Sequence, residues 1–218
     1  MRYYRWAAIA LLALTVVIFG GVAIATPSAP PPAPAVTDAS VVYVDTDRGH
    51  GSGVHIGDGY VITAGHVADG AKTIQLKTAG GKFHPAEVLW LNKEYDIALL
   101  RTDGTGIGAA TLACRYAHVG EDIRAIGNPL SLEFVSSYGR ISGEVRKLGP
   151  WKAILVTDLT TVMGQSGGPV FDEGGALVGI TVGVISAPIQ TPFGPVSTLT
   201  GYGTIVPSQA VCDLMARV

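Results

Sequence analysis

Gly164-Gln165-Ser166-Gly167-Gly168-Pro169 sets a serine among glycines in a chain otherwise made of short apolar runs. A serine that attacks a carbonyl needs its Oγ on a tight turn, with backbone N–H groups aimed at the oxyanion that forms. Flanking glycines let the main chain come close and adopt unusual backbone angles. The plain alternative is a glycine-rich turn between strands, and the hexapeptide alone does not separate the two.

Short β-type runs lie on both sides of it. Val54-His55-Ile56 and Tyr60-Val61-Ile62-Thr63 flank Gly57-Asp58-Gly59, a hairpin signal. Further strands are predicted over 73–76, 83–91, 97–101, 122–126, 136–142, 154–157, 168–171, 177–182 and 203–206. Many short strands at this spacing point to a sandwich or barrels. No sustained helical period occurs between residues 40 and 200. One helix is predicted at the end, starting at Pro207-Ser208, with Ala210, Val211, Leu214 and Met215 on its apolar face. The stretch from Thr102 to Glu121 is richer in glycine and alanine and reads as the join between two β-halves.

A serine of this kind needs a base. The histidines are His50, His55, His66, His84 and His118, and none follows Ser166. The α/β-hydrolase arrangement, in which acid and histidine both come after the serine, is therefore excluded. The order His, Asp, Ser remains. Val61-Ile62-Thr63-Ala64-Gly65-His66 ends a β-run in a small-residue turn that presents the imidazole. Tyr95-Asp96-Ile97-Ala98-Leu99-Leu100 sets a carboxylate directly before an apolar run, a context that partly buries it. Taken singly, either residue would more often be structural. The other four histidines lack such a setting and read as surface or structural residues.

Together, Thr63-Ala64-Gly65-His66, Asp96-Ile97-Ala98-Leu99-Leu100 and Gly164-Gln165-Ser166-Gly167-Gly168-Pro169 resemble the trypsin/chymotrypsin-like serine protease superfamily. The likeness is closest to the bacterial HtrA/Deg branch and runs from about Gly51 to Pro207. Gly51-Ser52-Gly53-Val54, Asp58-Gly59-Tyr60-Val61, Ala125-Ile126-Gly127-Asn128-Pro129, Thr157-Asp158 and Gly179-Ile180-Thr181 support it. The resemblance implies an all-β fold of two six-stranded antiparallel barrels, about 39–105 and about 120–207, with a short C-terminal helix. It implies a serine endopeptidase acting on polypeptides through an acyl-enzyme. Ser166 is then the nucleophile, His66 the base, Asp96 the orienting acid, and the N–H groups of Gly164 and Ser166 the oxyanion hole. By the same analogy the specificity pocket has Thr160 at its floor and Ile180, Thr181, Val182 and Gly183 along its walls. Nothing charged sits there, which argues for a small or medium apolar side chain before the scissile bond.

Three departures qualify the likeness. The chain carries no PDZ segment, so peptide-sensing regulation within it is not expected. Gln165 stands where trypsin-like zymogens carry an aspartate that pairs with a new N-terminus, so activation by that ion pair is not expected. Val162-Met163-Gly164 replaces the Asn-Pro-Gly of HtrA relatives. That last change motivates the alternative of a catalytically silent or partner-activated domain serving as an extracytoplasmic binding module. A purely adhesive β-protein has no need of three aligned motifs.

At the N-terminus, Arg2 and Arg5 precede an uncharged run of 20 residues from Trp6 to Ala25. This is an export signal. Ala23-Ile24-Ala25 fits a cleaved signal peptide, while the length also suffices for a membrane anchor, and the sequence leaves the two open over 1–25. Residues 26–38 are a proline-rich linker, in which Pro27 to Pro34 favours polyproline II. The protease-like domain is read over 39–218. The formal charge of −2, near −4 without Arg2 and Arg5, and the lack of a basic run elsewhere leave no nucleic-acid footprint. No metal-ligand spacing or phosphate loop occurs, and no cofactor is expected. Cys114 and Cys212 stand 98 residues apart, and the sequence leaves open whether they bridge.

Overall fold

The computed structural model describes residues 38–217. The readings over 1–25, and over 26–38 apart from Asp38, lie outside the described residues.

Among the described residues, twelve strands form two closed antiparallel barrels. The first contains β1 (Val41–Thr46), β2 (Gly49–Gly57), β3 (Tyr60–Ala64), β4 (Ile74–Thr78), β5 (Phe83–Asn92) and β6 (Ile97–Arg101), in the order β1-β2-β3-β6-β5-β4. The second contains β7 (Asp122–Gly127), β8 (Val135–Leu148), β9 (Trp151–Thr157), β10 (Pro169–Asp172), β11 (Leu177–Thr191) and β12 (Gly194–Pro207), in the order β10-β11-β12-β9-β8-β7. A one-turn helix α1 (Gly65–Ala68) follows β3, a 3-10 turn spans Pro129–Ser131, and helix α2 (Ser208–Met215) ends the described chain. Among the described residues no helix is long and apolar enough to cross a membrane.

The side-chain period of two explains why apolar runs here are continuous rather than alternating. In β6, Ala98 and Leu100 join Val42, Val44, Val61 and Leu76 inside the first barrel. Their neighbours Ile97 and Leu99 face outward and pack with Ile62, Ile126, Phe171, Ile180 and Val206 in a core drawn from both barrels. The second barrel is filled by Ile123, Ile141, Leu155, Val170, Val178 and Ile205 among others. Strands with both faces covered lose the alternation that marks a half-exposed sheet.

Helix α2 buries Ala210, Val211 and Leu214, the predicted face, in the shared core. The helix starts at Ser208, as predicted, and the Ser208 hydroxyl donates to the carbonyl of Arg115 at 3.1 Å. A disulfide joins Cys114 to Cys212, with Cα atoms 5.7 Å apart. It ties the segment linking the barrels to α2. Arg115 also pairs with Glu121 and with Asp172 at 2.8 Å, and these groups line a surface cavity of about 390 Å³ whose lining does not include Ser166. The cavity carboxylates on Glu121 and Asp172 are already engaged by the guanidinium.

Strand β1 was not among the predicted strands, and β8, β11 and β12 run much longer than the sequence indicated. The β11–β12 ribbon projects beyond the barrel, with Phe193 fully exposed at its tip.

Candidate active site

His66 is the second residue of α1, at the end of β3. The turn between β5 and β6 delivers Asp96 to it. Asn92 Oδ1 shapes that turn by accepting the N–H groups of Glu94 and Tyr95 at 3.0 and 3.1 Å. Asp96 adopts a φ of 56°, a left-handed conformation uncommon outside glycine. Its backbone carbonyl accepts the N–H of Gly65 at 2.8 Å. Gly65 must be small, because a Cβ there would lie 3.0 Å from Asp96 Oδ1 and 3.1 Å from Asp96 C.

Both carboxylate oxygens of Asp96 meet His66. Oδ1 accepts the His66 backbone N–H at 2.8 Å, and Oδ2 accepts Nδ1–H at 2.7 Å. An ionised carboxylate only accepts, so the imidazole proton sits on Nδ1 and Nε2 keeps its lone pair. The Asp96 side chain is 14% exposed and that of His66 49%. One ring edge is therefore fixed from behind while the side chain stays half exposed. A third donor, Trp151 Nε1–H from the start of β9, reaches Asp96 Oδ2 at 3.2 Å.

The Ser166 loop is pressed against the end of β3. The Ser166 carbonyl accepts Ser52 N–H at 2.8 Å, and Gly167 N–H donates to Thr181 at 2.7 Å. At Gly167, with φ 84°, a Cβ would fall 2.1 Å from the Ser52 carbonyl oxygen, 2.2 Å from Thr63 Oγ1 and 2.8 Å from Ala64 N. Only glycine fits, and Ala64 lies two residues before His66. The backbone of the Ser166 loop is thus held against the end of the strand that leads to His66, and among the described residues no hydrogen bond joins the Ser166 hydroxyl to His66 Nε2. Catalytic contacts of this kind often tighten only when substrate binds.

Gly164 has a φ of 95° and is equally constrained, since a Cβ there would lie 2.3 Å from the Asn128 carbonyl oxygen and 2.7 Å from His50 Nε2. Its carbonyl accepts the Ser52 hydroxyl at 2.8 Å. Ser52 Oγ in turn accepts Asn128 N–H at 2.9 Å and Nδ2–H at 3.0 Å, and Asn128 Oδ1 accepts Phe134 N–H at 2.9 Å. Ser52 and Asn128 are fully buried. Gln165, also buried, closes the loop on itself, with Oε1 accepting Val162 N–H at 2.7 Å. The N–H groups of Gly164 and Ser166 donate to no other group among the described residues. Sequence reasoning singled out the segments of Ser52 and Asn128 but gave them no task, and it missed Trp151.

The five residues named for the specificity pocket are not equivalent. Thr160 is exposed, whereas Ile180, Thr181 and Val182 are buried, with the Ile180 side chain in the shared core. Gly183 lies under the Trp151 ring, where a Cβ would fall 2.7 Å from Cη2.

The chain is 29% identical over 189 residues to Protease Do-like 1, chloroplastic, of Arabidopsis thaliana, covering 74% of this chain and 42% of the relative. It is 34% identical over 134 residues to a probable periplasmic serine endoprotease DegP-like of Pseudomonas savastanoi pv. phaseolicola, covering 60% and 28%. The chain thus spans less than half the length of these curated relatives. Among solved structures, an HtrA-type protease AlgW with tripeptide superposes with a TM-score of 0.70 at 26% identity, covering 84% of this chain and 63% of that one. The serine endoprotease from Yersinia pestis superposes at 0.68 and 28% identity, covering 84% and 65%. The model of the trypsin-like peptidase domain matches residues 51–180, more than half of the chain, and the chain belongs to that family.

Proposed function

We propose that this chain is an exported serine endopeptidase. Ser166 Oγ attacks the scissile carbonyl as its proton passes to His66 Nε2. The tetrahedral oxyanion accepts the N–H groups of Gly164 and Ser166. Collapse to the acyl-enzyme breaks the C–N bond, and the leaving amine takes the proton from Nε2. Water then attacks the acyl carbon as one of its protons passes to His66, and collapse breaks the C–Oγ bond, returning that proton to Ser166 Oγ and releasing the new carboxylate. Asp96 holds the Nδ1–H tautomer and offsets the charge of the imidazolium.

The observation that carries this reading is the two-point grip of Asp96 on His66, together with a serine loop in which the N–H groups of Gly164 and Ser166 have no acceptor among the described residues. The buried Ser52–Asn128–Gln165 set favours a competent rather than a silent domain, because it orders the oxyanion loop without a zymogen-type ion pair. Export is supported by the basic-then-apolar N-terminus, the periplasmic relatives and the disulfide, which persists in oxidising compartments. We propose a small or medium apolar side chain before the scissile bond, since Thr160, Ile180, Thr181, Val182 and Gly183 carry no charge.

The test is cleavage of unfolded casein by the full-length chain and by Ser166→Ala. Cleavage by the first alone is the expected result. Equal cleavage by both, or none by either well-folded protein, contradicts the reading.

A further inference from the structure

We propose that Trp151 is a positioning residue for Asp96, its indole N–H locking the carboxylate that orients His66. The proposal rests on the catalytic reading of His66, Asp96 and Ser166.

Without Trp151, Oδ2 would be held only by the imidazole it is meant to fix, while Oδ1 keeps the backbone N–H of His66. The carboxylate could then pivot about that backbone hydrogen bond and carry the ring with it. Trp151 comes from the other barrel and supplies a reference point independent of the histidine, at 3.2 Å from Oδ2. An indole N–H donates and never accepts, so it suits the ionised carboxylate and disfavours any arrangement in which Asp96 must donate toward it. That keeps the proton on His66 Nδ1 and the lone pair on Nε2, the state in which the base can serve Ser166.

The ring cannot easily drift. Gly183 leaves it room, since a Cβ at 183 would lie 2.7 and 2.9 Å from Cη2 and Cζ2. The ring also packs against the core shared by the barrels. The next residue grips the same turn by its backbone. Lys152 N–H donates to the Glu94 carbonyl at 2.7 Å, Lys152 Nζ pairs with Glu94 at 3.1 Å, and the ammonium stands 5.7 Å from the Tyr95 ring centroid. Residues 151 and 152 thus brace the turn that holds Asp96 in its left-handed conformation. Because the Lys152 contacts remain, Trp151→Phe removes the N–H while keeping an aromatic ring and the docked strand.

The experiment compares the full-length chain with Trp151→Phe, Asp96→Asn and the double variant. Loss of one hydrogen bond to a charged group predicts a kcat about tenfold lower for Trp151→Phe, with KM changed by less than about twofold. In the Asp96→Asn background the same substitution should have no further effect, since the pair acts as one unit. The nitrogen–proton NMR signal of the Trp151 indole, assigned by its loss in Trp151→Phe, should shift on Asp96→Asn. Unchanged kcat, an equal further loss in the double variant, or an indole signal that Asp96→Asn leaves in place would overturn the proposal. If the parent chain turns over no substrate, the catalytic reading fails, and the NMR signal alone decides whether Trp151 holds Asp96.

Discussion

The hydroxyl of Ser52 donates to the carbonyl oxygen of Gly164 at 2.8 Å, joining strand β2 of the first barrel to the loop that carries Ser166. The same hydroxyl accepts two N–H groups of Asn128, so all its hydrogen-bonding capacity is used. Both residues are fully buried, where an unmatched polar group is costly.

Ser52→Ala removes this anchor and leaves the Gly164 carbonyl and the Asn128 donors without their partner. A cost of about 1–3 kcal/mol in stability is expected from a buried group left unpaired. The loop that carries Gly164 N–H loosens with it. Denaturant unfolding together with steady-state kinetics should show reduced stability and a kcat loss larger than any change in KM.

Gly164→Ala meets a harder obstacle. The new methyl must enter 2.3 Å from the Asn128 carbonyl oxygen at a φ of 95°. The loop must shift, and on the proposed mechanism the N–H of residue 164 moves off the oxyanion. Losing one such donor typically lowers turnover by about 10²–10³. Single-turnover acylation with an activated ester would register the loss at the acylation step.

Reduction of Cys114–Cys212 frees the segment between the barrels from α2. A bridge closing so long a loop contributes about 2–5 kcal/mol. Urea unfolding with and without reductant should differ by that amount, and Cys114→Ser/Cys212→Ser should match the reduced protein. Equal midpoints in all three would count against it.

Acid should weaken the Arg115 cluster. Hydrogen bonding to Arg115 holds the Glu121 carboxyl below its ordinary value of 4.5. A carboxyl with a lowered value in the folded state adds stability that is complete above its unfolded value and lost as pH falls through the folded one. Stability should therefore drop below about pH 4.5, and Glu121→Gln should flatten that part of the curve. Urea midpoints measured across the acid range in both proteins give the comparison.

The sequence showed the strand-rich class through its glycine-punctuated runs, and it singled out His66, Asp96 and Ser166 through their local settings. Less was legible wherever a residue's task depends on a distant partner. Val41–Thr46 went unread because its apolar residues divide between two cores rather than alternating against solvent. The length of β11 and β12 was hidden because their outer residues pair only with each other, carrying no burial signal. Trp151 lies 55 residues from Asp96, and Ser52 lies 112 from Gly164, distances over which no local pattern speaks. The two cysteines were silent for the same reason until the fold brought them together.

The central claim is that His66, Asp96 and Ser166 form one working unit. It is tested most directly by treating the full-length chain with a fluorophosphonate probe and mapping the adduct by mass spectrometry, alongside His66→Ala. The account predicts a single adduct on Ser166 in the parent chain and almost none in the variant. A folded parent chain that takes no label at Ser166, or labelling that survives the loss of His66 unchanged, would contradict it.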